Sequence, residues 1–295
     1  MTQLTVAPVK LTERALLATL TIREWRGRRH DKEVTAQVAR DHGASRDAGC
    51  YTKALLPKSY LAAIAQVRSE ARTRHYELTL PWADEGSRIL PVDLHLTYME
   101  RIRGLRDRFA AAVSEFLAAY AEAKADAREA LGSLYREADY PSCEQLEGAF
   151  ELSFCLQPLP TVHDWRIDLP EATVDHIRLD LETKVHDAHR LAMADLYGRL
   201  AAVVSHMAET LAEPDKIFRD SLVGNVQELC SLLPHLNVAR DEGLSSLTRE
   251  IEVRLARLHP ALLRRDAAIR QGAAVDAAAL LETIHDRLAS YTGVS

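Results

Sequence analysis

The residues best suited to chemistry lie close together near the start of the chain. Arg23, Arg26, Arg28, Arg29 and Lys32 surround Trp25. Guanidinium and ammonium groups neutralise phosphates, and an exposed indole stacks on bases. Arg40, Arg46, Lys53, Lys58, Arg68, Arg72 and Arg74 extend the run. Residues 1–75 hold 14 Lys/Arg against 7 Asp/Glu, whereas the rest of the chain holds 23 against 36. The formal net charge of −6 therefore conceals a basic N-terminal part and an acidic remainder. Two uses fit this split: the basic part faces a nucleic acid, or it pairs with the acidic part of its own chain. No helix-turn-helix, zinc-finger or RNP motif narrows the choice.

The histidines suggest a different chemistry. His186 and His189 are three apart and would share one helix face, with Asp187 between them and His176, Asp180 and Glu182 a few turns earlier. They are weak metal candidates, because HDAHR is neither HExxH nor ExxH; packed or solvated histidines explain them as well. The segment HDWRID at 163–168 places His163 and Asp164 beside Trp165, which suits a hydrolase. A buried Arg–Asp pair at a corner suits it equally. There is no GxxxxGK[ST], GxGxxG or GxSxG, and DEGSR at 84–88 lacks the second glycine of a nucleophile elbow. No catalytic residue and no cofactor are assigned, and a non-catalytic role is expected. Cys50, Cys143, Cys155 and Cys230 form no CxxC pair and read as buried reduced thiols of a cytosolic protein.

Hydrophobic residues make up 47% of 295 positions and aromatics only 6%, a balance that favours helix-on-helix packing. No apolar run reaches 18 residues, and Lys10, Glu13 and Arg14 break the N-terminal apolar stretch. Neither a membrane span nor a signal peptide is expected, so the protein is placed in the cytoplasm. The fold class expected is mainly α: a long antiparallel coiled-coil helical hairpin, a small β-sheet at its base, and flanking helical N- and C-terminal parts. Residues 11–25 read as an amphipathic helix, 31–43 as a short helix, and the stretch after Pro57 as a helix to about His75. Alternation at Tyr76, Leu78, Leu80 and Trp82, again at Phe150, Leu152, Phe154 and Leu156, and in RIDL at 166–169 predicts strands.

Tyr98, Ile102, Leu105, Phe109, Ala112, Phe116 and Tyr120 recur at fours and threes, which predicts one hairpin arm over 92–137. Ile177, Leu181, Val185, His189, Ala192, Leu196, Leu200, Val203, Met207 and Leu211 predict the other over 171–213. The C-terminal helices are expected at 216–233, 244–258, 261–271 and 275–291. The parts are then 1–75 (basic, helical), 76–215 (strands and hairpin) and 216–295 (helical), forming one cooperative unit.

Several words of sequence in order carry a likeness: EWRGRRHDKEVTAQVA at 24–39, DAGCYTKALLP at 47–57, TLPWADEGSRILP at 79–91, DYPSCEQLEGAFELSF at 139–154 and DWRIDLP at 164–170. Over about residues 10–215 the chain resembles a poorly characterised family of bacteriophages and bacterial mobile elements. Genes of that family often stand beside a MoxR-type AAA+ ATPase and a protein with a von Willebrand factor A or cobaltochelatase-like domain. The resemblance carries no catalytic residue onto this chain. It implies a non-catalytic partner of such an ATPase system, as adaptor, scaffold or substrate. The alternating seam and the absence of catalytic motifs lead to the same class, an interaction protein whose hairpin engages itself or an ATPase-associated partner. The alternatives are a nucleic-acid-binding accessory of phage replication or recombination, using the basic segment, and a metal-dependent hydrolase without a known motif.

Overall fold

A computed structural model describes residues 11–45, 47–82, 86–160 and 171–293. Arg46, residues 84 and 85 of DEGSR, the strand expected at 166–169, and His163 and Asp164 lie outside these residues. In chain order the elements are α1 (Leu11–Arg14), β1 (Ala15–Arg23), β2 (Arg28–His30), α2 (Lys32–Asp41), β3 (Thr52–Ala54), α3 (Ser59–Leu78), β4 (Leu80–Pro81), β5 (Ser87–Pro91), α4 (His95–Ala118), α5 (Tyr120–Leu131), α6 (Cys143–Glu147), β6 (Glu151–Pro158), α7 (Glu171–Ala212), α8 (Ser221–Leu236), α9 (Glu242–Ile251), α10 (Pro260–Arg265) and α11 (Ala267–Thr292). The protein is mainly helical, with a small antiparallel sheet of four strands in the order β4-β5-β1-β6. The chain forms two units. The first comprises Met1–Thr19, Tyr76–Thr97 and Cys155–Ser295, and the second Leu20–His75 and Tyr98–Phe154.

The sheet begins where a helix was expected. Residues 11–14 are helical, but Ala15–Arg23 is a strand. Thr19, Thr21 and Ile22 are β-branched and favour the pleated form. Ala15 stands opposite Pro91, Leu17 opposite Ile89 and Thr19 opposite Ser87. The last of these pairs is joined through its hydroxyls at 2.8 Å. The strand expected at 76–82 contracts to Leu80–Pro81, because Tyr76–Leu78 form the last turn of α3. A guanidinium stabilises that turn: Arg199 donates to the carbonyls of Tyr76, Glu77 and Thr79 at 2.9, 2.8 and 2.8 Å. Helix ends leave such carbonyls without intrahelical partners.

In the first unit α7 forms as one helix of 42 residues, roughly 63 Å long at 1.5 Å per residue. The helix lying along it is α11, not the 92–137 arm, which falls mostly in the second unit and is interrupted between α4 and α5. Contacts at both ends make the α7–α11 pair antiparallel. Arg270, near the start of α11, donates to the carbonyls of Thr210 and Leu211 at 3.0 and 3.2 Å. At the other end Arg190 donates to the Tyr291 carbonyl at 3.0 Å, and Tyr197 stacks on Tyr291 with centroids 5.7 Å apart. Ala273, Ala274, Ala277, Leu280 and Ile284 form the buried face of α11. Its small residues admit close approach. The buried positions of α7 run from Ala188 to Leu211. Pro234 and Gly272 do not end their helices: α8 continues to Leu236, and α11 passes through Gly272.

In the second unit the stripe expected of the first arm is buried from Tyr98 through Ile102, Leu105, Phe109, Ala112 and Phe116 to Tyr120. His75 Nδ1 and the Tyr98 hydroxyl are 2.9 Å apart inside this core. No described helix is long and apolar enough to cross a membrane. Of the four free thiols, only Cys230 is buried as expected; Cys50, Cys143 and Cys155 are exposed.

Candidate nucleic-acid interface

The basic segment turns sharply after β1. Gly27 has φ +60°, and its carbonyl accepts from the Leu55 N–H at 2.7 Å. The left-handed conformation favours glycine, and a Cβ there would stand 3.0 Å from Leu61 Cδ1, which would have to shift slightly. The chain then enters an antiparallel ribbon in which Arg28 is opposite Ala54, Arg29 opposite Lys53 and His30 opposite Thr52. Asp31 caps α2, accepting from the N–H groups of Glu33 and Val34 at 3.1 Å each.

A buried ion cluster anchors the ribbon. Lys53 Nζ lies 3.0 Å from Asp31, 2.6 Å from Asp139 and 2.9 Å from the Leu134 carbonyl. The side chain is 2% exposed, so these three oxygens, rather than water, surround the ammonium. Burial pulls this ammonium down, but hydrogen bonds to Asp139 and Asp31 outweigh it and hold Lys53 above its ordinary range. The Asp31 carboxyl is held low, first by the Val34 N–H and then by Lys53.

The turn and α3 enclose a cleft of about 390 Å³. Leu61, Ile64, Ala65, Arg68 and Arg72 reach it from a single face of α3, at helical spacing. Glu24, Trp25, Arg26 and Arg28 supply the opposite side. The half-buried Trp25 packs on Phe116, with centroids 6.1 Å apart and rings inclined by 29°, and meets Tyr120 edge-on at 6.2 Å. Glu24 is ion-paired to Arg68 and lies 3.8 Å from Arg26. Arg28 and Arg72 are exposed and have no carboxylate partner among the described residues. Four guanidiniums against one carboxylate make the cleft strongly positive.

The six residues singled out in the sequence thus divide. Trp25, Arg26 and Arg28 line the cleft. Arg23 donates from Nε to Glu151 at 2.7 Å, and Arg29 lies 3.1 Å from Asp139, so acidic residues of the same chain occupy both. Lys32 is exposed at the start of α2, away from the cleft lining. Arg68 and Arg72 complete the site. Their signal was the 61-65-68-72 spacing within α3, which joins them to an apolar face.

The remaining candidates gather less. His186 is exposed and His189 half-buried on α7. Burial first, then the nearby His186, lowers the affinity of His189 for a proton. Among the described residues no group of three or more potential ligands forms around them. A smaller cleft of about 240 Å³ in the first unit includes Glu13, Arg14, Asp93, His235 and Arg240. Its acids and bases nearly balance, so charge selects no ligand there.

Comparison with protein-family models, curated proteins and solved structures gave no match.

Proposed function

We propose that this protein binds nucleic acid without chemically altering it, through the arginine cleft between the 24–28 turn and α3. One observation carries the reading: Arg28 and Arg72, both exposed and without carboxylate partners among the described residues, line the same cleft as Trp25. Unpaired guanidiniums suit phosphates, and the aromatic and apolar wall suits bases. A gel shift of the full chain over a salt series tests it. Binding at low salt should weaken steeply as salt rises; absence of a shift at low salt removes the proposal.

A second reading, that of an interaction or scaffold protein, is favoured by α7. Its segment 171–187 extends past the end of α11 and continues the apolar stripe through Val174, Ile177, Leu181 and Val185, with Leu179 63% exposed. The family resemblance suggests a MoxR-type AAA+ ATPase and its von Willebrand A companion as partners, and a hairpin-like pairing of α7 with a partner helix is one way to engage them. Co-purification with the neighbouring gene products tests this. A clean monomer that retains none of them counts against it.

A further inference from the structure

We infer that the cleft takes single-stranded nucleic acid, with one unstacked base against its inner wall and the flanking phosphates on Arg28 and Arg72. This rests on the nucleic-acid reading above and adds the class of strand. Charge is distributed unevenly across the cleft. Inside, Glu24 is only 12% exposed and neutralises Arg68, beside the half-buried Trp25, Leu61 and Ala65 and the buried Ile64. That wall is apolar and nearly uncharged, and its one carboxylate repels a phosphate. At the mouth, Arg28 and Arg72 are exposed and have no carboxylate partner among the described residues. An uncharged ring is therefore favoured inside and anionic groups outside.

The volume of about 390 Å³ is near the small end of ligand pockets, which span roughly 300–1,000 Å³. It suits one compact guest. A duplex keeps its bases stacked and presents phosphates on a convex surface, so it would touch the mouth and leave the wall unused. A single strand can turn a base inward. Because every base has a π-face, this recognition tolerates sequence.

Fluorescence anisotropy with the full chain tests the inference, using a labelled mixed-sequence oligonucleotide as single strand (DNA and RNA) and as the matching duplex, at one salt concentration. At least one single strand should bind tenfold or more tighter than the duplex. Ala65→Phe, which fills the wall, should lower single-strand binding tenfold and leave duplex binding unchanged, with the thermal transition checked for folding. Equal or tighter duplex binding by the unaltered protein overturns the inference but leaves nucleic-acid binding in place. Binding of neither form overturns both.

Discussion

Glu24 and Arg68 form an ion pair inside the cleft, linking the segment after β1 to the middle of α3. Glu24 is the single anionic residue lining the cleft, beside four guanidiniums and an apolar wall. Glu24→Gln keeps the shape and removes the charge. It should therefore tighten oligonucleotide binding and steepen the dependence of log affinity on log salt by about 0.7, the increment for one more phosphate contact on a single strand. Anisotropy titrations at several salt concentrations measure both. An unchanged slope with weaker binding would mean that Glu24 mainly positions Arg68.

Much of this site could be read in the sequence, though not which cations are available. The basic run around Trp25 was visible, and so was the competing possibility of internal pairing. Internal pairing accounts for part of the run: Arg23 and Arg29 meet Glu151 and Asp139, while Arg28 meets no carboxylate among the described residues. Sequence distances of more than one hundred residues separate these partners, and local pattern carries no signal for them. The seam of α4 was legible because large apolar residues recur at threes and fours. The partner of α7 was not: a heptad stripe states that a face must be covered but not by what. Half of the buried residues of α11 are alanines, which give a weak apolar signal. β1 was misread because its apolar residues satisfy either period, and pairing with β5 decided the outcome.

Lys53 should be a main support of the second unit. Its ammonium holds two carboxylates that have little access to water, Asp31 and Asp139 being 4% and 9% exposed. Lys53→Met leaves both without their cation, and the loss should be about 3 kcal/mol, the lower end for breaking a buried pair. Arg23→Ala, on the 69% exposed partner of Glu151, should change stability little. Urea unfolding at neutral pH compares the two. Similar midpoints for both variants would contradict the account.

Arg270 has a corresponding role in the first unit. It is buried and donates to the carbonyls of Thr210, Leu211, Glu213 and Lys216, closing the C-terminal end of α7 while lying over the Phe218 ring. Arg270→Met should cost about 3 kcal/mol, because buried carbonyls lose charged donors. Arg270→Lys should recover less than half, since an ammonium cannot reproduce the planar fork. Thermal unfolding of the three proteins measures this, and full recovery by lysine would show that charge alone suffices.

Acid should destabilise the second unit. The Asp31, Glu33, Glu137 and Glu151 carboxyls are all held low: by the Val34 N–H and Lys53, by Arg136, by Lys124 and Tyr135, and by Ser153 and Arg23. A carboxyl that is more acidic folded than unfolded stabilises above its unfolded value and loses that stabilisation as pH falls. The urea midpoint should be nearly flat from about pH 5.5 to 8 and fall below about pH 4.5. Asp31→Asn should flatten part of the decline. A midpoint constant to pH 3 would contradict these contacts.

The most direct test of the arginine cleft is the salt dependence of oligonucleotide binding by the full chain and by the Arg28→Ala, Arg72→Ala double variant. Both side chains are exposed, so the variant should fold and melt like the parent. Its log affinity against log salt should become shallower by about 1.4, two single-strand phosphate contacts, with at least tenfold weaker binding at low salt. Identical slopes and affinities for the two proteins would place any nucleic-acid binding elsewhere on the chain.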